Sequence, residues 1–244
     1  MKRLIALLIL LSALLPHPAG ALQVAAAEPA LVDPWFDDAV ILGDSVTRQL
    51  HSLVLKERKE GKRPLSEVTF ITAHNYMIYN ASRKNLGSNE VNLRYRGKDY
   101  TFEGLLKELK PRKLFLMLGL NDGARKNPEK QMRYFEQTMD IAFSVVPDML
   151  LVIQSLSPVT EKQKAASLQQ PNIDAFNETL KALCEEKGAV FLDIATPLKG
   201  PDGLLPLSLS SDTKVHLNEE GLLIWMNTLR QFAFEQMNKE NPEE

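Results

Sequence analysis

The sequence predicts an α/β protein: a three-layer α/β/α sandwich around a central, mostly parallel five-stranded sheet. Three observations carry this reading. Near-continuously apolar runs of four to six residues recur along the chain. Amphipathic stretches of helical length separate them, and the runs give way to segments holding Gly, Asp, Asn or Ser. Strands buried on both faces lose their alternation, and a helix between consecutive strands keeps the strands parallel.

The elements follow in order. Ala39-Val-Ile-Leu42 is the first strand, followed by a helix over 46–59. Val68-Thr-Phe-Ile-Thr72 is the second, and a loop-rich region then extends to about Asp99. A helix over 102–109 stops before Pro111, because the residue preceding a proline is driven out of the helical region. Lys113-Leu-Phe-Leu-Met-Leu118 is the third strand. The next helix, 128–145, carries Pro128 in its first turn, where a missing N–H costs nothing. Met149-Leu-Leu-Val-Ile153 and Ala189-Val-Phe-Leu192 complete the sheet, with a helix over about 173–186 between them. The final helix spans about 218–237, with Asn218 as its N-cap and Glu219 and Glu220 where the helix dipole favours negative charge.

The first 27 residues read as a secretory signal peptide rather than as part of the fold. Lys2 and Arg3 precede an apolar run from Leu4 to Leu15, and small residues follow through Ala25-Ala26-Ala27. The run is shorter than the ~20 apolar residues of a spanning helix. The expected organisation is a signal peptide at 1–27, a linker at 28–37, one domain at 38–238 and a polar tail at 239–244. The expected location is therefore extracellular or periplasmic, with no stable membrane insertion after cleavage.

Composition narrows the function classes. Apolar residues make up 44% and charged residues 25%, which is globular and excludes disordered and collagen-like classes. Removing residues 1–27 takes away two basic residues and no acid, moving the net charge from −2 to −4. That balance gives no reason to expect nucleic acid as a partner. Cys184 is the single cysteine, so no internal disulfide and no cysteine-based metal site is available; it reads as a buried small hydrophobe.

In parallel sheets, ligands bind outside the carboxyl ends of the strands, so the polar residues there matter most. The first strand runs into Gly43-Asp44-Ser45, where Ser45 meets a helix N-terminus with its hydroxyl towards the crevice and its N–H aimed where an oxyanion would form. The third strand runs into Gly119-Leu120-Asn121-Asp122-Gly123, whose Asn121 side chain can donate to the same oxyanion. Asp212 and His216 precede the last helix, and histidine is the natural general base near neutral pH. Of the other histidines, His17 leaves with the signal peptide, His51 is expected at the surface and His74 follows the second strand. Each feature alone has an ordinary reading as a cap or a turn.

Taken together and in this order, Gly-Asp-Ser, Gly-x-Asn-Asp and Asp…His-Leu-Asn resemble the SGNH/GDSL hydrolase family, over essentially the whole chain after residue 27. The resemblance implies the flavodoxin-like SGNH fold. It also implies a secreted serine esterase: Ser45 as nucleophile, His216 as base, Asp212 as the acid behind it, and the Ser45 N–H and Asn121 as oxyanion donors. Gly119 lets the backbone turn beside the site. No metal or organic cofactor is required. The expected substrate is a small-molecule or glycan ester with a short acyl group, such as an O-acetyl group on an extracellular or envelope glycan.

Two departures from the family pattern stand out. The family takes a further oxyanion donor from a glycine after the second strand, whereas this chain has Thr72-Ala73-His74-Asn75-Tyr76. A backbone N–H of His74 or Asn75 takes that place, and asparagine tolerates left-handed backbone better than most residues. The family also spaces its acid as Asp-x-x-His, but Asp212 lies four residues before His216. Either the loop bulges and keeps Asp212 on the imidazole, or a Ser45–His216 dyad orients its histidine through a backbone carbonyl or Thr213.

Other chemistries fit less well. A metallophosphoesterase needs clustered Asp and His ligands, and no Asp-x-His or His-x-His pair occurs. Thr47 stands where an α/β-hydrolase elbow needs its last glycine, and Gly43 alone does not make a dinucleotide fingerprint. Two readings remain beside hydrolysis: a degenerate SGNH domain that binds glycan or cell-wall polymer without turnover, and an exported O-acyltransferase.

Overall fold

The computed structural model describes residues 28–88, 90–122 and 128–240. The signal-peptide segment, Gly123 and the last four residues of the expected tail lie outside them. The elements are α1 (Pro29–Val32), β1 (Ala39–Gly43), α2 (Ser45–Lys59), β2 (Thr69–Thr72), α3 (Ile78–Ala81), β3 (Leu93–Tyr95), β4 (Lys98–Tyr100), α4 (Phe102–Leu109), β5 (Lys113–Met117), α5 (Pro128–Val145), β6 (Leu150–Gln154), α6 (Gln170–Lys187), β7 (Val190–Leu192) and α7 (Glu219–Glu240). Short 3₁₀ turns, the first at Asp33–Phe36, join several of them.

The main sheet has the order β2-β1-β5-β6-β7 and every pairing in it is parallel. All five residues of β1 are buried, as expected of a strand covered on both faces. α1, α2 and α7 pack on one face, and α4, α5 and α6 on the other. The chain steps from β1 outward to β2 and then back across β1 to β5. β1 and β5 therefore flank the point where winding reverses, and a crevice opens above them. Gly43 pairs with both Thr72 and Met117, so β1, β2 and β5 all end at one level. The segments that follow, 44–46, 73–76 and 118–122, emerge side by side.

Several local signals explain the boundaries. Asp44 caps α2, its Oδ1 accepting from the Val46 N–H at 2.9 Å, and Thr101 caps α4 by accepting from the Gly104 N–H. α4 stops at Lys110 in left-handed conformation (φ 43°), immediately before Pro111. Asn218 Oδ1 accepts from the Gly221 N–H at the start of α7, as its sequence position implied. A side chain at Gly43 would place its Cβ 2.0 Å from Thr47 Oγ1 and 2.8 Å from the Met117 carbonyl, so only glycine lets α2 start this close to β5.

The structure adds and corrects. The expected loop between β2 and α4 holds the short α3 and a β3–β4 hairpin. Its turn places both Arg96 (φ 46°) and Gly97 (φ 81°) in left-handed backbone, the requirement of a type I′ turn. The expected linker at 28–37 is instead docked on the domain, because its apolar positions reach the core: Val32 and Phe36 are fully buried, and Trp35 stacks edge-on against Phe36, Phe115 and Phe232. Asp33 also receives a two-pronged pair from Arg230 of α7, both contacts at 2.8 Å and both side chains buried. His51, expected at the surface, is half-buried and stacked on Phe70 at 4.7 Å; burial, and then Arg58 and Arg48, hold its pKa below the ordinary histidine value. Cys184 is fully buried, and burial with Glu185 nearby pushes its thiol up to about 12. No helix of the described residues is long and apolar enough to cross a membrane.

Candidate active site

Ser45 is the first residue of α2, so its N–H has no acceptor within the helix. Its Oγ lies 3.1 Å from His216 Nε2, and His216 Nδ1 lies 2.6 Å from Asp212 Oδ2. A carboxylate only accepts, so Nδ1 carries the proton and Nε2 is left to accept from the Ser45 hydroxyl.

The four-residue spacing from Asp212 to His216 is absorbed by one bulged residue. Thr213 adopts φ +62°, left-handed backbone that a β-branched residue rarely takes. The turn this creates points the Lys214, Val215 and His216 N–H groups at Asp212 Oδ1, at 2.7, 3.0 and 3.1 Å. One carboxyl oxygen organises the loop and the other meets the imidazole. Burial alone would raise the Asp212 pKa, but the His216 hydrogen bond, the Lys214 and His216 N–H groups and the imidazole charge together hold it down at about 2. Thr160 pins the bulge from the β6 side, its hydroxyl donating to the Thr213 carbonyl and its N–H to that of Lys214 at 2.9 Å.

Asn121 and Asp122 follow β5 and tie the neighbouring segments together. Asn121 Nδ2 donates to Asp44 Oδ2 at 2.8 Å and points its other hydrogen at the Tyr76 carbonyl, 3.4 Å away. The second contact is long and weak, so that N–H is the one available to a substrate oxygen. Asp122 accepts from the Ile78 and Tyr79 N–H groups at 2.9 and 3.4 Å, fixing α3 beside the site. Burial raises the Asp122 pKa against those two bonds. Asp44 is only 1% exposed, and burial lifts it to about 6, opposed by the Val46 N–H and the His216 charge and reinforced by Asp122. Gly119 sits at φ +127°, and a Cβ there would come within 3.2 Å of Leu156 and Phe176.

After β2, the Ala73 N–H reaches the Gly43 carbonyl at 3.2 Å and the Tyr76 N–H closes a turn onto the Ala73 carbonyl. His74 and Asn75 project from that turn, both exposed, with Asn75 in left-handed backbone at φ +58°. Asn75 and Asn121 line one cavity of about 400 Å³ with Met77, Asn80, Glu90 and Val91. Tyr76 is buried and Tyr79 packs on Tyr134, so of Tyr76, Met77 and Tyr79 it is Met77 that lines that cavity. A second opening of about 530 Å³ lies on the other side of Ser45, between α2 and the start of α7. Among the described residues, no group of three or more His, Cys, Asp or Glu side chains is placed to hold a metal ion.

A GDSL-like lipase/acylhydrolase family model matches residues 41–222. The chain belongs to that family. The matched span starts inside β1 and ends in the first turn of α7, and so takes in all three polar motifs. No curated protein matches the sequence. Solved structures share the GDSL fold at low identity. A GDSL-like lipase from Bacteroides thetaiotaomicron is 13% identical with a TM-score of 0.58, over 81% of this chain and 88% of its own. A carbohydrate esterase family 3 protein from Talaromyces cellulolyticus is 14% identical with a TM-score of 0.55, over 82% and 98%. A mutant acetyl esterase solved with an acetate ion is 13% identical with a TM-score of 0.55, over 83% and 99%.

Within this GDSL domain, three residues escaped sequence reasoning. Gln49, one turn after Ser45, donates to Ser211 Oγ and accepts from the Leu217 N–H, both at 3.1 Å, and so grips the His216 loop on both flanks. Its position four residues after the serine put it on the same helix face, which was the available signal. Asp44 was visible only as part of a turn; its contact with Asn121 spans 77 residues and no local pattern announces it. Thr160 acts across 53 residues and left no signal at all.

Proposed function

We propose that the protein is an exported serine esterase that removes short acyl groups from glycans. One observation carries the reading: a continuous chain of contacts from Asp212 through His216 to Ser45, at 2.6 and 3.1 Å, at the mouth of a crevice. In this mechanism His216 Nε2 takes the Ser45 proton as Oγ attacks the ester carbonyl. The Ser45 N–H, the Asn121 amide and an N–H at Asn75 receive the oxyanion; losing one such donor typically costs ~10²–10³ in turnover. His216 returns its proton to the departing alcohol, and water attacks the acyl-enzyme by the same route in reverse. Asp212 keeps Nδ1 protonated and offsets the imidazolium charge.

The cavity beside Asn75 and Asn121 has Met77 and Val91 as its apolar residues among polar ones, which favours a short acyl group. Esterases acting on carbohydrate or acetyl esters among the structural neighbours are consistent with this choice. Export rests on the basic start, apolar run and small residues of the first 27 positions. The non-catalytic alternative rests on the missing glycine after β2 and the shifted aspartate; the 2.6 Å contact between Asp212 and His216 speaks against the second of these.

The test is hydrolysis of 4-nitrophenyl acetate by the protein beside Ser45→Ala. Turnover that disappears in the variant supports the nucleophile. Turnover no greater than that of Ser45→Ala, on acetyl and longer esters alike, sinks the esterase reading.

A further inference from the structure

The two openings around Ser45 divide the substrate between them. His216 must hand its proton to the departing oxygen, so the alcohol lies on the imidazole side of the ester. The carbonyl oxygen and acyl group turn towards Asn75 and Asn121. The opening between α2 and α7 is lined by Ser45, His216 and Asp212 but by neither Asn75 nor Asn121, whereas the Asn75 cavity contains no residue of the histidine loop. The larger opening is therefore the alcohol's.

One wall comes from a stripe of α2, and the histidine loop and the first turn of α7 form the other. Ser45, Arg48, Ser52 and Lys56 recur at helical spacing along the α2 stripe, above buried Leu53 and Leu222. From Ser45 to Lys56 the helix advances about 16 Å, room for several linked sugar units. Hydrogen-bonding edges over an apolar floor suit sugar rings, which have hydroxyl rims and C–H faces. The charges along this stripe are unequal in their engagement. Lys56 is paired with Glu219 at 2.6 Å, and Asp212 is held by His216 and three N–H groups. The Arg48 guanidinium, exposed three residues after the nucleophile, has no hydrogen-bond or ion-pair partner among the described residues.

Resting on the esterase reading above, we infer that this groove binds the alcohol portion of an anionic glycan. Arg48 takes a carboxylate or phosphate within about one ring of the ester being cleaved. A guanidinium presents a planar fork of donors that matches either anion. The sugar chain then runs along α2 towards the Lys56–Glu219 pair.

The experiment compares acetate release from three esters: an O-acetylated oligogalacturonide, an O-acetylated glycerol phosphate oligomer and an O-acetylated neutral xylo-oligosaccharide. One or both anionic esters should exceed the neutral one in kcat/KM by about tenfold, the worth of one partly exposed charge-assisted contact. The preferred member of the two identifies carboxylate or phosphate as the recognised group. Arg48→Gln should bring all three together, Arg48→Glu should favour the neutral ester, and salt at about 0.5 M should shrink the preference in the unaltered protein. Circular dichroism of each variant confirms that it is folded. Equal kcat/KM on all three esters, or a preference that survives Arg48→Gln, overturns the inference while leaving 4-nitrophenyl acetate turnover in place. Failure of the esterase reading shows itself separately, as loss of turnover on every ester.

Discussion

Replacing Asp212 with asparagine tests the site where its sequence is least usual. The amide oxygen can still accept from the Lys214, Val215 and His216 N–H groups, so the bulged loop survives. The oxygen now facing His216 Nδ1 at 2.6 Å becomes an NH₂ donor. The imidazole must then carry its proton on Nε2, where it can no longer accept from Ser45. Loss of the negative charge adds to this. Two unit charges about 4 Å apart at an effective dielectric of about 20 interact by about 4 kcal/mol, or three decades in rate. With the tautomer error included, turnover should fall by about 10⁴. The assay is kcat on 4-nitrophenyl acetate with urea midpoints measured alongside, so that loss of fold is told from loss of chemistry. A folded variant retaining more than a tenth of parental activity would refute the assignment of Asp212 as the group that orients His216.

Gln49→Ala removes both grips on the histidine loop and should lower kcat on 4-nitrophenyl acetate by about tenfold, with KM changed less than kcat; an unchanged kcat shows the loop holds itself. Asp44→Asn retains the α2 cap, since asparagine caps as well as aspartate. The folded carboxyl titrates at about 6 against 3.8 in its ordinary environment. Between those values the unfolded chain has released a proton the folded chain keeps, so this group's contribution to stability falls as pH rises. Relative to the variant, the parent should lose about 3 kcal/mol from below pH 4 to above pH 6, and parallel urea-stability curves would contradict it. Arg230→Ala strands the buried Asp33 carboxylate and should cost about 3–5 kcal/mol of stability. A urea-derived loss under about 1 kcal/mol would show that the pair holds little.

The sheet was legible because its strands are buried on both faces and read as unbroken apolar runs; Lys113–Met117 and Leu150–Gln154 fall within a residue of their expected limits. The β3–β4 hairpin was not, because its I′ turn uses Arg96 where Asn, Asp or Gly would have signalled positive φ. The docked segment at Val32–Phe36 reads as a linker from Pro29 and Pro34, and only contacts with the far end of the chain reveal otherwise. At the site, Ser45, Asn121, His216 and Asp212 were recognisable by type and order. The choice between a bulged triad and a dyad was not, since it turns on a single φ angle at Thr213. What holds these residues, Asp44 on Asn121 and Gln49 on Leu217, acts through space between distant segments and leaves no periodicity to read.

The clasp between Asp33 and Arg230 joins residues 197 positions apart and so bears on how the molecule is made. During synthesis β1 and Ser45 emerge early, and α7, which helps to seal one face of the sheet, emerges long after them. His216 emerges only just ahead of that helix. A nascent chain therefore holds Ser45 without the imidazole it meets in the finished fold and without the latch that secures its first turn. A chain stopped short of α7 lacks Arg230 and so cannot close the latch on Asp33.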